Sequence, residues 1–310
     1  MQRLINRVAL FLIPILAFLV AYEVIMRNIE NDYSYKNRWL TDNGKKVELL
    51  AIGSSHCYYG FDPSYMFKNS FNIGHHSQSI KYDYLILNKF INWLDSLQYI
   101  IVTISYPDPY YFMEDTPDVA YFLKQYGIYY HLPVGKVKNK FECLNGIDYL
   151  AVINYFSKKV SFNNCSELGL CYSDEYDIHW KENAARRAKQ HSFDDFYGPI
   201  HQKLVDNINL NMTYMEHIIN MCRNKDVQVI LLTTPIHKLY REHINEEQWK
   251  LTTGFCHHLV QEFDNVSYIN LFQDSRFKDE DFLDSDHLNA TGAKKLTLIL
   301  NDYINENFPN

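Results

Sequence analysis

Val47-Glu48-Leu49-Leu50-Ala51-Ile52-Gly53-Ser54-Ser55 is the stretch on which the reading of this chain turns. Its short apolar run, followed directly by glycine, reads as a strand buried on both faces, because strands of a parallel sheet covered by helices see no water on either side. Gly53 permits a sharp bend at the strand exit. Ser55 then stands just beyond the carboxyl end of the strand, where open α/β sheets gather their ligands.

The pattern continues on both sides of this stretch. Ser70 to Ile73 reads as a second short strand leading to Gly74, and Tyr84, Leu85, Leu87, Ile91 and Leu94 mark a helix. Tyr99 to Ile104 reads as a third strand. Later, a helix over Ile208 to Cys222 precedes a β-rich run, Val227 to Thr233, which Thr234-Pro235 ends. A helix from Glu246 to Phe263 and a last strand, Val266 to Leu271, complete the alternation. Asn289 can cap a final helix whose apolar face is Leu296, Ile299, Leu300 and Tyr303. Alternating strands and helices predict an α/β three-layer sandwich with a mostly parallel central sheet, flavodoxin-like in plan.

From Pro107 to about residue 200 this alternation is lost. A tyrosine-rich stretch (Tyr110, Tyr111, Tyr121, Tyr126, Tyr129, Tyr130) comes before a polar helical run, Trp180 to Gln190. The segment is expected to be a largely helical insertion over the sheet, its aromatics forming local core rather than a ligand cradle. The expected organisation is therefore residues 1–27 as an anchor, 28–46 as a polar linker and 47–310 as the α/β domain with its insertion.

The anchor reading rests on Arg3 and Arg7 followed by an apolar run from Val8 to Tyr22 that continues past Glu23 to Met26. A span needs about 20 apolar residues, and this run suffices if Glu23 sits among the headgroups. A cleaved signal peptide would end in small residues, which Val20-Ala21-Tyr22-Glu23 does not supply. With the arginines held inside, the globular part is expected outside the cytoplasm, periplasmic or extracellular.

The chain has 310 residues, 30 Lys+Arg against 37 Asp+Glu and a net charge of −7. With no long basic stripe to neutralise phosphates, nucleic acid is excluded as a partner class. Among the six cysteines no CxxC pair occurs; Cys165 and Cys171 can close a short loop, whereas Cys222 and Cys256 suit buried positions.

A serine hydroxyl becomes a nucleophile when a base takes its proton, an acceptor holds that base in one tautomer, and N–H donors await the oxyanion. Ser55 is the candidate nucleophile. His287, just before the capped final helix, is the candidate base, and Asp284, three residues earlier, can reach its Nδ1 and leave Nε2 for Ser55. Asp281 and Asp286 compete for the acceptor role. His56, His75, His76 and His237 fall near these positions, but without an HExxH-type ligand spacing they read as cleft walls; no metal and no cofactor is expected.

Ile52-Gly53-Ser54-Ser55 resembles the G-D-S block of the SGNH/GDSL hydrolase superfamily, and Asp284-Ser285-Asp286-His287-Leu288-Asn289 resembles its D-x-x-H-L-N block. Phe71-Asn72-Ile73-Gly74 is similar to the second block, whose glycine N–H donates to the oxyanion. The resemblance spans about residues 47–104 and 207–304 and implies the SGNH fold, with the N–H groups of Ser55 and Gly74 as oxyanion donors. Ser54 replaces the block's aspartate, as in membrane-anchored members that act in cell-surface polymer acylation, among them the D-alanyl teichoic acid transfer protein and alginate acetylation proteins. The oxyanion asparagine of the third block is replaced by Ile104-Ser105-Tyr106-Pro107. Ser105 and Tyr106 are the candidate substitutes, and His75 and His76 the candidate substrate contacts.

The resemblance implies serine-dependent acyl transfer or ester hydrolysis at the cell envelope through a Ser55 acyl-enzyme. The implied reaction is O-acylation or O-deacylation of a surface polysaccharide or lipid-linked sugar, with a membrane O-acyltransferase as partner. The alternative is a non-catalytic accessory or carbohydrate-binding protein of the same system.

Overall fold

The computed structural model describes residues 1–116, 119–157, 161–172, 179–193 and 202–308. Contacts divide the chain into two compact units, Met1–Arg38 with Asp118–Asn163, and Trp39–Pro117 with Asn164–Asn310.

The first unit opens with α1 (Gln2–Asn28), which is long and apolar enough to cross a membrane and is the one such helix among the described residues. α2 (Asp32–Asn43) begins here and continues into the second unit, so a helix occupies most of the stretch that reads as a polar linker. Its signal is a buried spacing of Tyr33, Lys36 and Leu40, obscured in the sequence by the polar residues between them. α5 (Leu123–Tyr129) and α6 (Tyr149–Ser157) complete this unit. Tyr33 meets Tyr126 and Tyr130 edge-on, with ring centroids 5.3 and 6.4 Å apart, and Glu142 accepts from Tyr129 Oη and Lys124 Nζ, each at 2.9 Å. These insertion tyrosines are local core.

The second unit holds β1 (Leu49–Ile52), α3 (Ser55–Gly60), β2 (Ser70–Asn72), α4 (Ile80–Phe90) and β3 (Tyr99–Thr103). α7 (Trp180–Gln190), α8 (Gln202–Arg223), β4 (Gln228–Thr233), α9 (Lys238–Arg241), α10 (Glu246–Glu262), β5 (Val266–Asn270) and α11 (Ala290–Asn307) follow. The five strands are all parallel in the order β2-β1-β3-β4-β5.

Leu49, Ala51, Tyr99, Ile101, Ile230 and Leu232 point to one face, where they pack with Cys57 and Phe61 of the α3 region and with Leu296, Leu300 and Ile304 of α11. Their neighbours Leu50, Ile52, Ile100, Val102, Val229 and Leu231 are equally buried on the opposite face, on the side of α4 and α8, which pack together. The predicted three-layer α/β architecture is therefore present, and double-sided burial explains the unbroken apolar strands.

The free edge of β2 is covered by the loop that the Cys165–Cys171 disulfide closes. Asn72 N–H donates to Leu168 O at 3.0 Å, and a Cβ on Gly169, at φ +89°, would stand 2.1 Å from Asn72 O. Only glycine allows the loop to lie this close to the strand. A covered edge leaves no open ladder for another chain.

Candidate active site

The exits of β1, β2 and β3 and the loop after β5 supply the site. At the β1 exit Gly53 adopts φ +136°, and a Cβ there would lie 1.9 Å from Thr103 Oγ1. Both facts demand glycine, and the bend sets Ser54 before α3 with Ser55 as its first residue. Among the described residues Ser55 N–H, in the first turn, has no acceptor.

The loop from Phe282 to Asn289 carries His287, the candidate base. Leu283 N–H donates to His287 O at 2.9 Å, Phe282 and Leu288 form an antiparallel bridge, and Asn289 N–H donates to Asp281 O at 3.0 Å. Asn289 Oδ1 caps α11 through the N–H groups of Thr291 (2.9 Å) and Gly292 (3.1 Å), while its Nδ2 donates to the carbonyls of Glu280 and Phe282. One side chain thus starts the helix and closes the loop before it.

His287 Nε2 lies 2.7 Å from Ser55 Oγ, and His287 Nδ1 lies 2.9 Å from Asp284 Oδ2. Asp284 Oδ1 also accepts the N–H groups of Asp286 (3.0 Å) and His287 (2.8 Å), which forms the turn their spacing requires. Asp284 therefore holds the proton on Nδ1 and leaves Nε2 to accept from Ser55. Burial opposes a charge on His287, but the carboxylates of Asp284 and Asp286 outweigh it and raise its pKa above the ordinary 6.5.

Asp286 makes no hydrogen bond to the His287 ring nitrogens, although it lies within 4.8 Å of that ring, and takes an ion pair from Arg187 Nε on α7. Burial opposes its charge, yet Arg187, His287 and His191 hold its pKa well below the usual carboxylate range. Arg187 Nη2 also lies 3.3 Å from His287 Nδ1 and 3.8 Å from Asp284 Oδ2. Asp286 reads from sequence as a competing acceptor, but Arg187 does not read as part of the site: it sits in a polar helix about 100 positions from His287, a pairing only the fold makes.

The histidines read as cleft walls take distinct places. His56 packs against His287 with ring centroids 5.0 Å apart, and its Nδ1 lies 3.1 Å from Thr234 Oγ1. Burial and the neighbouring His287 push its pKa down to about 3, so it stays neutral across the working range. His76 Nε2 meets Tyr59 Oη at 2.7 Å, and the Tyr59 ring stands edge-on to His287 at 5.4 Å. His75, an expected substrate contact, is fully buried. His237 pairs with Asp279 at 3.0 Å. His56, Asp286 and His287 each bring a ligand-type atom within 4.8 Å of the others, but Asp286 is matched to Arg187, and both nitrogens of His287 are engaged by Asp284 and Ser55.

The oxyanion donors differ most from expectation. Gly74 N–H donates to Asn72 Oδ1 at 3.0 Å. Asn72, fully buried, also sends Nδ2 to the carbonyls of Cys57 (2.7 Å) and Phe61 (2.8 Å), tying the end of α3 to the β2 exit. Ser105 N–H donates to Asp108 Oδ2 at 2.7 Å, and its side chain bonds the same carboxylate. Tyr106 is buried beside Tyr240, Ile236 and Phe272, with its Oη accepting Asn245 N–H at 2.8 Å. Neither side chain is turned into an oxyanion donor here, because local capping and packing claim both.

Two buried acids brace the strand exits, Asp83 at β1 and Asp108 at β3. Burial raises the pKa of Asp83 well above its ordinary value and that of Asp108 to about 6. Asp83 Oδ1 accepts Gln78 Nε2 at 2.6 Å, and its carboxyl also receives the Gly53 N–H. Ser54 Oγ and Thr103 Oγ1 are buried with no partner among the described residues. The position where the resemblance expects aspartate is thus a silent hydroxyl.

A protein-family model matches residues 201–309. No curated protein matches the chain. Solved structures similar to it include a Streptococcus pneumonia protein described provisionally as a platelet activating factor, 13% identical, covering 96% of this chain and 99% of that one at a TM-score of 0.42. A Bacteroides fragilis protein described provisionally as an acylhydrolase is 10% identical over 89% of this chain and 99% of its own, with a TM-score of 0.42. A GDSL-like lipase from Bacteroides thetaiotaomicron is 9% identical over 88% and 98%, with a TM-score of 0.43.

Proposed function

We propose that the chain is a membrane-tethered serine esterase or O-acyltransferase of SGNH/GDSL type, and the observation that carries this is the continuous relay from Ser55 Oγ through His287 to Asp284. Ser55 Oγ attacks the acyl carbonyl while its proton passes to His287 Nε2. Asp284 stabilises the imidazolium through Nδ1. Collapse of the tetrahedral intermediate returns that proton to the departing oxygen and leaves the acyl group on Ser55. An incoming hydroxyl, deprotonated by the same Nε2, then takes the acyl group and restores the serine.

If water is the acceptor the reaction is ester hydrolysis; if a sugar hydroxyl is, it is O-acylation of a surface polysaccharide or lipid-linked sugar. An anchoring α1 with the globular part outside the cytoplasm favours the second, since it holds the serine at the membrane face. The Cys165–Cys171 disulfide is in keeping with an oxidising compartment. A membrane O-acyltransferase is the corresponding acyl donor.

A specific observation favours a second reading, a non-catalytic accessory role: the Gly74 N–H is spent on Asn72, and Ser105 and Tyr106 are engaged elsewhere. A missing oxyanion donor costs on the order of 3 kcal/mol of transition-state stabilisation, so simple esters are expected to turn over slowly.

Detergent-solubilised full-length protein treated with a fluorophosphonate probe and mapped by mass spectrometry tests the proposal. An adduct on Ser55 that is lost in Ser55→Ala is expected. Folded wild-type protein without an adduct favours the accessory reading, as would cells in which Ser55→Ala leaves polymer acylation intact while deletion abolishes it.

A further inference from the structure

α6 presents water with side chains that a soluble helix hides. Leu150, Ile153 and Phe156, at three-residue spacing along one side, are 72%, 60% and 73% exposed, and Phe141 and Leu144 just before the helix are 41% and 52% exposed. Ala151, on another side, is buried. Scattered exposed apolar residues are ordinary; five within sixteen positions, three of them in one stripe, are not.

What lies beside this stripe identifies its occupant. Phe18, Ala21, Tyr22 and Ile25 of α1 and Ile147, Val152, Ile153 and Phe156 line a single apolar groove of about 280 Å³. α6 therefore runs against the last turns of α1, and its exposed Ile153 and Phe156 border the same groove as Phe18 of α1, itself 49% exposed.

Polar contacts lock the arrangement at one end. Tyr22 Oη donates to Gly146 O at 3.2 Å and accepts Asp148 N–H at 3.0 Å. Glu23 accepts from Arg27 Nε at 2.6 Å and from Cys143 N–H at 3.0 Å, and Arg27 Nη2 donates to Lys140 O at 2.8 Å. Tyrosine and a paired carboxylate are side chains suited to the headgroup level. Below this polar clasp both α1 and α6 offer only apolar side chains to the groove.

We infer that α6, with Phe141 and Leu144, is a second membrane-embedded element, lying in the outer face of the bilayer beside α1 with Leu150, Ile153 and Phe156 among the lipid acyl chains. This rests on the reading of α1 as a membrane span. The occupant is lipid rather than a protein partner because Ile153 and Phe156 border the same apolar groove as Phe18, on a helix whose surface the bilayer itself covers. Interfacial helices of this kind reach about 5–10 Å into the boundary between headgroups and chains. The arrangement also accounts for Glu23: its carboxylate stays at the bilayer edge because a guanidinium and a backbone N–H of its own unit satisfy it there.

Tryptophan placed at single positions of the full-length protein, in vesicles of acyl-chain-brominated phosphatidylcholine, tests this. Wild-type emission from the native tryptophans is subtracted. Phe156→Trp reads α6, Phe18→Trp reads α1, and Tyr172→Trp, at an exposed site outside the first unit, serves as the reference. The expected result is loss of the added emission for Phe156→Trp comparable to that for Phe18→Trp and well beyond that for Tyr172→Trp. Quenching of Phe18→Trp with Phe156→Trp no more quenched than Tyr172→Trp overturns the inference and leaves the α1 span standing. If Phe18→Trp also escapes quenching, the span itself falls and the inference falls with it.

Discussion

Replacing Arg187 by methionine should move the acid limb of activity upward. Arg187 Nη2 lies 3.3 Å from His287 Nδ1, so its charge works against protonation of the base. Because the Arg187 side chain is 34% exposed, solvent screens this effect, and Coulomb's law with the dielectric constant of water gives about 1.3 kcal/mol at that distance. That equals about one pH unit in the pKa of His287. The substitution also leaves Asp286 without its partner, and an uncompensated carboxylate near the imidazole pushes in the same direction. The groups facing His287 are Asp284, Asp286, Arg187, His56 and His191; both neighbouring histidines are held neutral by burial, with pKa values pushed down to about 3 and about 4. His287 must be neutral to act as a base, so activity rises with pH through its pKa, and the wild-type acid limb should lie above 6.5. Arg187→Met should therefore lower kcat/KM about ten-fold on the acid side of the limb and leave the alkaline plateau nearly unchanged. The assay is the pH profile of ester turnover or, if turnover is slow, of the rate of Ser55 labelling by a fluorophosphonate. Arg187→Lys should recover most of the shift. An acid limb that stays in place or moves down would refute the reasoning.

Asp284→Asn keeps an oxygen for the N–H groups of Asp286 and His287 but loses the charge that orients Nδ1; kcat is expected to fall by on the order of 10⁴ with thermal stability nearly unchanged, and a small loss would mean that Asp286 is the operative acceptor. Asp83 is buried with a raised pKa, so the native state retains a proton that the unfolded chain releases above about 4, and this acid lowers stability as pH rises toward its native pKa. Asp83→Asn should accordingly raise Tm at pH 8 more than at pH 5, as followed by thermal unfolding; equal Tm shifts would contradict the buried-acid account. Asn289→Ala removes the α11 cap together with the two bonds that close the catalytic loop, at a cost of about 1–2 kcal/mol, and should reduce Ser55 labelling at temperatures where calorimetry finds the protein still folded.

The oxyanion arrangement bears on which acceptor the serine serves. With Ser55 N–H the one available donor among those expected, acyl transfer requires either that the Asn72–Gly74 bond yields on substrate binding or that the substrate brings compensating contacts. Under the proposed function such a site is expected to discriminate against small esters, which offer little binding energy away from the reacting carbonyl.

Much of this protein is written locally. The five strands, the glycine at the elbow, the capped last helix and the Asp284–His287 turn follow from residues close in sequence, since double-sided burial, a positive φ, an N-cap and a three-residue turn each have a local signature. Ser55 and His287 were readable as partners because strand exits on one edge of a parallel sheet converge. Tertiary structure alone decided the rest. Arg187 reaches Asp286 because α7 folds over the loop after β5; Asn72 is set in place for the Gly74 N–H by the carbonyls of Cys57 and Phe61 at the end of α3; and the Tyr106 hydroxyl is claimed by the distant Asn245 N–H. The helix α2 was hidden because its buried positions are separated by polar residues. Short-range steric and capping preferences can be read along a chain, whereas the partner of a buried polar group depends on which distant group the packing brings within 3 Å.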